Sequence, residues 1–165
     1  MNVRKMTLTA MFSALMAICA WISIPIPPIA FTLQTFGVLL ALTTLGGKQG
    51  STCILAYLAM GCIGLPVFSG FRGGAAALLE PSGGFLWGFL AGSLAYWGTE
   101  RLGPPLSSML CQLTCYLCGC LWFSRWAGCG IGAAFAACVL PYLIPDGIKL
   151  WLALQVSGRI RRQLK

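Results

Sequence analysis

The sequence predicts an all-α integral membrane protein with six transmembrane helices, long outer loops and a short lid or re-entrant helix before the last span. Three observations carry this: the composition, the recurrence of apolar runs, and the distribution of cations. Of 165 residues, 58% are hydrophobic and 8% charged, with a mean hydropathy of +0.85; a soluble domain has roughly 45–50% apolar and 25% charged residues. A chain of this length cannot enclose so much apolar surface in a single water-soluble core, so much of it must face lipid. Residues 1–165 read as one transmembrane domain.

Apolar runs separated by polar or Gly/Pro interruptions place helices at 7–24, 30–46, 50–65, 84–99, 105–124 and 146–161. Their lengths lie toward the lower end of the ~17–25 residues that cross a bilayer. Arg4 and Lys5 precede the first run as they would in a signal peptide, but no small-x-small cleavage site closes it before Pro25 and Pro27, so it is expected to be retained. The apolar piece from Gly130 to Leu140 is too short to span and ends at Pro141, which suits a lid or re-entrant helix.

With a cytoplasmic N-terminus, Arg4, Lys5, Lys48, Arg101, Arg159, Arg161, Arg162 and Lys165 fall inside, and Arg72, Arg125 and Lys149 outside. That asymmetry satisfies the positive-inside rule, puts both termini in the cytoplasm and explains most of the net charge of +8 by topology. Nucleic-acid binding has no soluble basic patch to support it. The inner connections "GGKQG" and "TERLGPP" are short, whereas the outer ones are long and rich in Gly and Pro. Non-helical backbone near a membrane is tolerated where protein covers it or a cavity needs it, so these loops are expected to roof a pocket.

Other function classes are excluded by what the sequence lacks. It has no histidine, which removes His-based acid–base chemistry and His metal sites. Its cysteines lie mostly in or beside apolar runs and read as small packing residues, with no metal site expected even for Cys111, Cys115 and Cys118 on one helix face. "GGKQGS" from Gly46 lacks phosphate-loop spacing, so no ATPase site is expected in this chain.

The remaining polar residues in apolar surroundings are the candidates. Pro145 suits a helix start and Asp146 its first turn, with Lys149 three residues on and on the same face. A cap with a snorkelling lysine is one reading; a cavity-lining pair is the other, because each charge deep in a bilayer costs about 2.5–3.5 kcal/mol. The loop over 64–85 offers glycines, Gly73 among them, whose N–H groups can approach a ligand, together with Arg72, Glu80 and Phe85. Gln34 needs a partner or a polar cavity, whereas Thr35 can bond back along its own helix. In "LTAMFSALMA", Ala10 and Ala14 form one small-xxx-small pair and Ser13 and Ala17 another, a spacing that lets a second helix approach closely.

"FTLQTFGVLLA", "YLAMGCIGLPVFSG", "GGAAALLEPSGGFLWGF" and "PYLIPDGIKLWLA", in this order, cover most of the chain from Thr7 to Leu154 and closely resemble the BioY family. These are the biotin-specific substrate-binding (S) components of energy-coupling-factor (ECF) vitamin transporters. The resemblance implies a six-helix, non-enzymatic S component of the cytoplasmic membrane that binds biotin from the outer side and has no cofactor of its own. Its implied partners are a transmembrane coupling protein and two ATP-binding-cassette ATPases, which consume the ATP. Ala10 and Ala14 match the family's contact with the coupling protein, and Asp146 and Lys149 match part of its biotin site.

Two departures from the family pattern stand out: Glu80 and Phe85 replace a glycine and a tyrosine, and Arg72 replaces an asparagine of some relatives. Asp146 is suited to accept from the ureido N–H groups, Lys149 or Arg72 to meet the carboxylate or ureido carbonyl, and Phe85 to cover the apolar body. Because burying both charges without ligand is costly, Asp146 and Lys149 are expected to pair or be hydrated. The alternatives are an S component for another small vitamin, a membrane-embedded enzyme using Asp146, Glu80 and a cysteine, and a purely structural subunit.

Overall fold

A computed structural model describes residues 3–164, and over that range the chain is helical apart from one minimal hairpin and several loops. Helix α1 runs Val3–Trp21, α2 Gln34–Leu45, α3 Gly47–Cys62, α4 Gly83–Thr99, α5 Pro104–Ala127, α6 Ile131–Cys138 and α7 Leu143–Leu164. Strands β1 (Ser23–Ile24) and β2 (Phe31–Thr32) pair antiparallel, Ser23 opposite Thr32 and Ile24 opposite Phe31. All six predicted long helices form, with shifted ends. Helix α1 starts at Val3 rather than 7, and α2 starts at Gln34 rather than 30 because the Pro-rich segment "PIPPIA" closes the hairpin and keeps Phe31 and Thr32 extended. Helix α7 starts two residues before Pro145. That proline is tolerated because the first four helical N–H groups have no intrahelical acceptor in any case, and Asp146 stays in the first turn.

Val3–Trp21, Pro104–Ala127 and the stretch Ile131–Gln163 are each long and apolar enough to cross a membrane. Leu113, Leu117 and Leu121 recur every four residues along α5 and are exposed, while Cys111, Cys115 and Cys120 on other faces of the same helix are buried. This is the pattern of a lipid-facing bundle, whose outer surface is as apolar as its core. The nine cysteines are free thiols.

Helix α4 packs along α5 through a seam of small residues. A side-chain carbon at Gly84 would lie 2.2 Å from Cβ of Trp122, one at Gly88 3.0 Å from Cα of Cys115, and one at Gly92 2.7 Å from the Cys111 carbonyl. Cys111 and Cys115 thus serve close helix contact, consistent with their reading as packing residues. Gly88→Leu is expected to lower the thermal unfolding midpoint of the detergent-purified protein, since overpacking typically costs ~1–3 kcal/mol. Gly98→Leu, where nothing lies within 4 Å of the added carbon, should leave the midpoint nearly unchanged.

The predicted inner cations gather at one end of the bundle. There Gln49 donates to the Lys5 carbonyl, Arg161 Nε donates to the Thr44 carbonyl, and the Glu100 carboxylate lies against Gly46 and Gly47. Lys165, the last cation of that set, lies outside the described residues. Asp146, Lys149 and Arg72 occupy the opposite end, where residues of the hairpin, the loop 63–82 and α6 line a cavity with them.

Candidate binding site

Several elements converge on one cavity at that end. Helix α7 supplies Asp146 and Lys149, and α2 supplies Gln34 and Thr35. Helix α5 supplies Gln112 and Tyr116, α4 supplies Phe85, Leu86 and Phe89, β2 supplies Thr32, and the connecting segments add Phe68, Arg72 and Tyr142. Asp146 and Lys149 are each only 5% exposed and pair directly, Nζ to Oδ1 at 2.6 Å. The pairing expected from the cost of burying both charges is therefore present.

The pair is fully dressed by hydrogen bonds. Asp146 Oδ1 also accepts from Thr35 Oγ1 at 3.2 Å, and Oδ2 accepts from the Tyr116 hydroxyl at 2.7 Å and Gln112 Nε2 at 3.3 Å. Lys149 Nζ donates to Asp146, to the Thr32 carbonyl at 2.7 Å and to Thr35 Oγ1 at 3.3 Å. It also sits 4.0 Å from the centre of the Phe31 ring. A carboxylate has about four lone-pair sites and an ammonium three N–H groups, so both are saturated. Such saturation makes a buried ion pair tolerable, because unpaired buried charge is penalised heavily.

Thr35 therefore does not bond back along its own helix, as its position in α2 suggested. Helix α2 starts at Gln34, so the carbonyls three and four residues before Thr35 belong to β2 and not to the helix, whereas Asp146 and Lys149 lie within reach and the hydroxyl bridges the two charges. Gln34 has the partner it was expected to need: its Nε2 donates to Tyr57 at 2.7 Å, and Tyr57 passes the chain on to the Val67 carbonyl at 2.9 Å. The sequence reading missed Gln112, Tyr116 and Tyr142. Gln112 and Tyr116 stand one turn apart on a helix otherwise lined with Leu and Cys, a signal as clear as that of Gln34.

At the solvent end of the cavity lies Arg72, its side chain 44% exposed. The segment Phe68–Arg72 is a tight turn closed by Phe68 N–H to the Arg72 carbonyl at 2.9 Å, with Gly70 and Phe71 both at positive φ. Trp21 pins this turn, stacking on Phe71 with ring centres 5.1 Å apart and donating to the Pro66 carbonyl at 2.7 Å. Arg72 Nε donates to the Ser69 carbonyl at 2.9 Å, and its Nη1 pairs with the Glu80 carboxylate. Gly73 is not among the lining residues. Its lack of a side chain serves packing, since an added carbon would lie 2.3 Å from the Leu65 carbonyl oxygen. Phe85 lines the cavity with its ring laid against Gly119 of α5.

A profile of the BioY family matches residues 1–165. The chain belongs to the BioY family. It is 38% identical over 162 residues to the probable biotin transporter BioY of Pyrococcus horikoshii, covering 98% of both chains. With the biotin transporter BioY of Thermotoga maritima it shares 46% identity over 90 residues, 54% of this chain and 53% of that one. Among solved structures, the S-component for biotin from an ECF-type ABC transporter superposes with a TM-score of 0.90 at 28% identity, over 97% of this chain and 92% of that one. This BioY-family chain thus has the membrane all-α fold of an S component.

The two small-residue pairs of α1 differ in exposure. Ser13 and Ala17 are buried, and Ser13 Oγ donates to the Cys53 carbonyl of α3 at 2.9 Å. Ala10 and Ala14 are exposed, and with Met6, Thr9, Ala56 and Met60 they line an apolar groove whose floor includes Ser13 and Ala17. The first pair is packed at the base of that groove, and the second is left facing outward.

Proposed function

We infer that this chain is the biotin-binding component of an ECF transporter, taking up biotin across the cytoplasmic membrane, and is not an enzyme. The observation that carries this is the saturated Asp146–Lys149 pair buried in a cavity of a BioY-family membrane fold, with an exposed arginine at the cavity's other end. Biotin has the matching polarity: a ureido head rich in donors and acceptors, an apolar bicycle and chain, and a terminal carboxylate. The ureido group sits at the Asp146 end, where Tyr116, Gln112 and Thr35 offer groups it can exchange with. Phe85, Leu86 and Phe89 flank the apolar body. Arg72 meets the carboxylate, because all three N–H groups of Lys149 already have acceptors, while Arg72 has N–H groups to spare after Ser69 and Glu80. Gln34 holds the cavity wall through Tyr57.

In this reading residues 1–165 act as one unit with six spans, α1 to α5 and α7, and α6 covers the cavity as a lid. Both termini are cytoplasmic and the cavity opens outward, in keeping with the cation-rich end opposite it. Ala10 and Ala14 receive the transmembrane coupling protein, whose two associated ATPases supply the energy, and the chain itself requires no cofactor. The purified chain is expected to bind labelled biotin saturably at one site per molecule, with other vitamins failing to compete. Absence of stoichiometric binding, or wild type indistinguishable from Asp146→Asn, would refute the assignment. Stronger competition by another vitamin would redirect it to that ligand.

A further inference from the structure

The chain has three acidic residues, and two have evident structural places: Asp146 against Lys149, and Glu100 against Gly46 and Gly47 at the far end. The third, Glu80, is held at the cavity's solvent end by its backbone. Its carbonyl accepts from Trp122 Nε1 at 3.0 Å and from the Gly83 N–H at 2.8 Å, which anchors it to α5 and to the start of α4. From that anchored position its carboxylate takes Nη1 of Arg72, which, besides Lys149, is the cation lining the cavity among the described residues.

We propose that Glu80 is a built-in competitor for the ligand's acidic group, occupying the guanidinium that a carboxylate-bearing ligand must engage and so setting how strongly the site favours charged over neutral ligands. This rests on the reading that Arg72 receives the ligand carboxylate. The guanidinium carries five N–H groups in one plane, and with Nε on Ser69 and Nη1 on Glu80 the N–H groups left for a ligand carboxylate lie beside the Glu80 carboxylate. A second carboxylate arriving there meets the charge of Glu80 on the same guanidinium and has to share its positive charge or turn Glu80 away. The Glu80 side chain is 36% exposed, so it has water to turn into, and an ion pair this exposed is easily exchanged. Lys149 is not open to the same competition, being buried and fully bonded.

The test compares biotin with its neutral methyl ester on the purified full chain. Glu80→Gln keeps the shape and removes the charge. It is expected to tighten biotin about two- to fivefold, the range that one partly exposed pair supports, while the ester changes less than about twofold. In an Arg72→Gln background the gain from Glu80→Gln should shrink. The biotin-to-ester ratio is the deciding readout, because a general loosening of the loop moves both ligands together. Weaker biotin binding in Glu80→Gln would overturn the proposal by making Glu80 a brace for Arg72, and equal shifts for both ligands, or none, would overturn it as well. Wild-type biotin binding that depends on Asp146 but is indifferent to Glu80 would sink this inference alone. Failure of wild type to bind biotin would remove the underlying reading too.

Discussion

Asp146→Ala is expected to abolish measurable biotin binding, a loss of at least about 100-fold, and to lower stability at the same time. Truncation strips the carboxylate from four donors and leaves an ammonium that is 5% exposed with no counter-charge. Breaking a buried pair from one side typically costs ~3–5 kcal/mol. Binding and stability would fall together for this variant, so a second variant has to separate them. Replacing the whole pair, Asp146→Leu with Lys149→Met, removes both charges, and apolar substitution of an entire buried pair is often neutral or stabilising. The double variant should recover much of the unfolding midpoint and none of the binding. Calorimetric titration with biotin and a thermal scan of the same preparations check both halves. Retention of binding within about threefold in Asp146→Ala would mean that the carboxylate is a structural element and not a ligand group.

The pair was legible in the sequence because its signal is local: two opposite charges three residues apart, after a proline, in a chain with almost no other acidic groups. Its surroundings were less so. Thr35 stands 111 residues from Asp146 along the chain, and it is the late start of α2 at Gln34, set by the hairpin, that leaves no helix carbonyl behind Thr35 for its hydroxyl to bond. Gln112 carried a usable signal, a polar amide amid Leu and Cys, but its partner lies 34 residues away and the pairing depends on how α5 meets α7. The helices themselves were readable from hydropathy, and their ends moved where backbone chemistry competes with it, as at the hairpin ahead of Gln34. Gly73 shows a different limit. Glycine in a loop signals either room for a ligand or room for backbone, and only the folded chain puts the Leu65 carbonyl against the place its side chain would take.

Ala14→Trp is expected to cut biotin uptake by whole cells at least about tenfold while leaving the biotin affinity of the purified chain within about twofold. The argument starts from the division of labour on α1. The faces bearing Ser13, Met16, Ala17 and Ala20 are buried in the bundle, so α1 is already packed on its inner side. Ala10 and Ala14 are left on the outer side, at a spacing that lets another helix come close, with Ala56 and Met60 of α3 forming the far wall of their groove. In lipid there is no hydrophobic drive to bring two helices together, so close backbone approach and dispersion must supply the association. An indole at Ala14 occupies the space such a helix needs without touching the cavity, whose lining residues do not include α1. Ala20→Trp provides the contrast, because that residue is fully buried and lies outside the groove; it should damage folding and binding alike. Equal loss of uptake and affinity in Ala14→Trp would show that this face supports the fold, and unchanged uptake would show that the coupling protein docks elsewhere. Uptake lost with affinity intact identifies the outward face of α1 as the surface through which energy reaches the binding component.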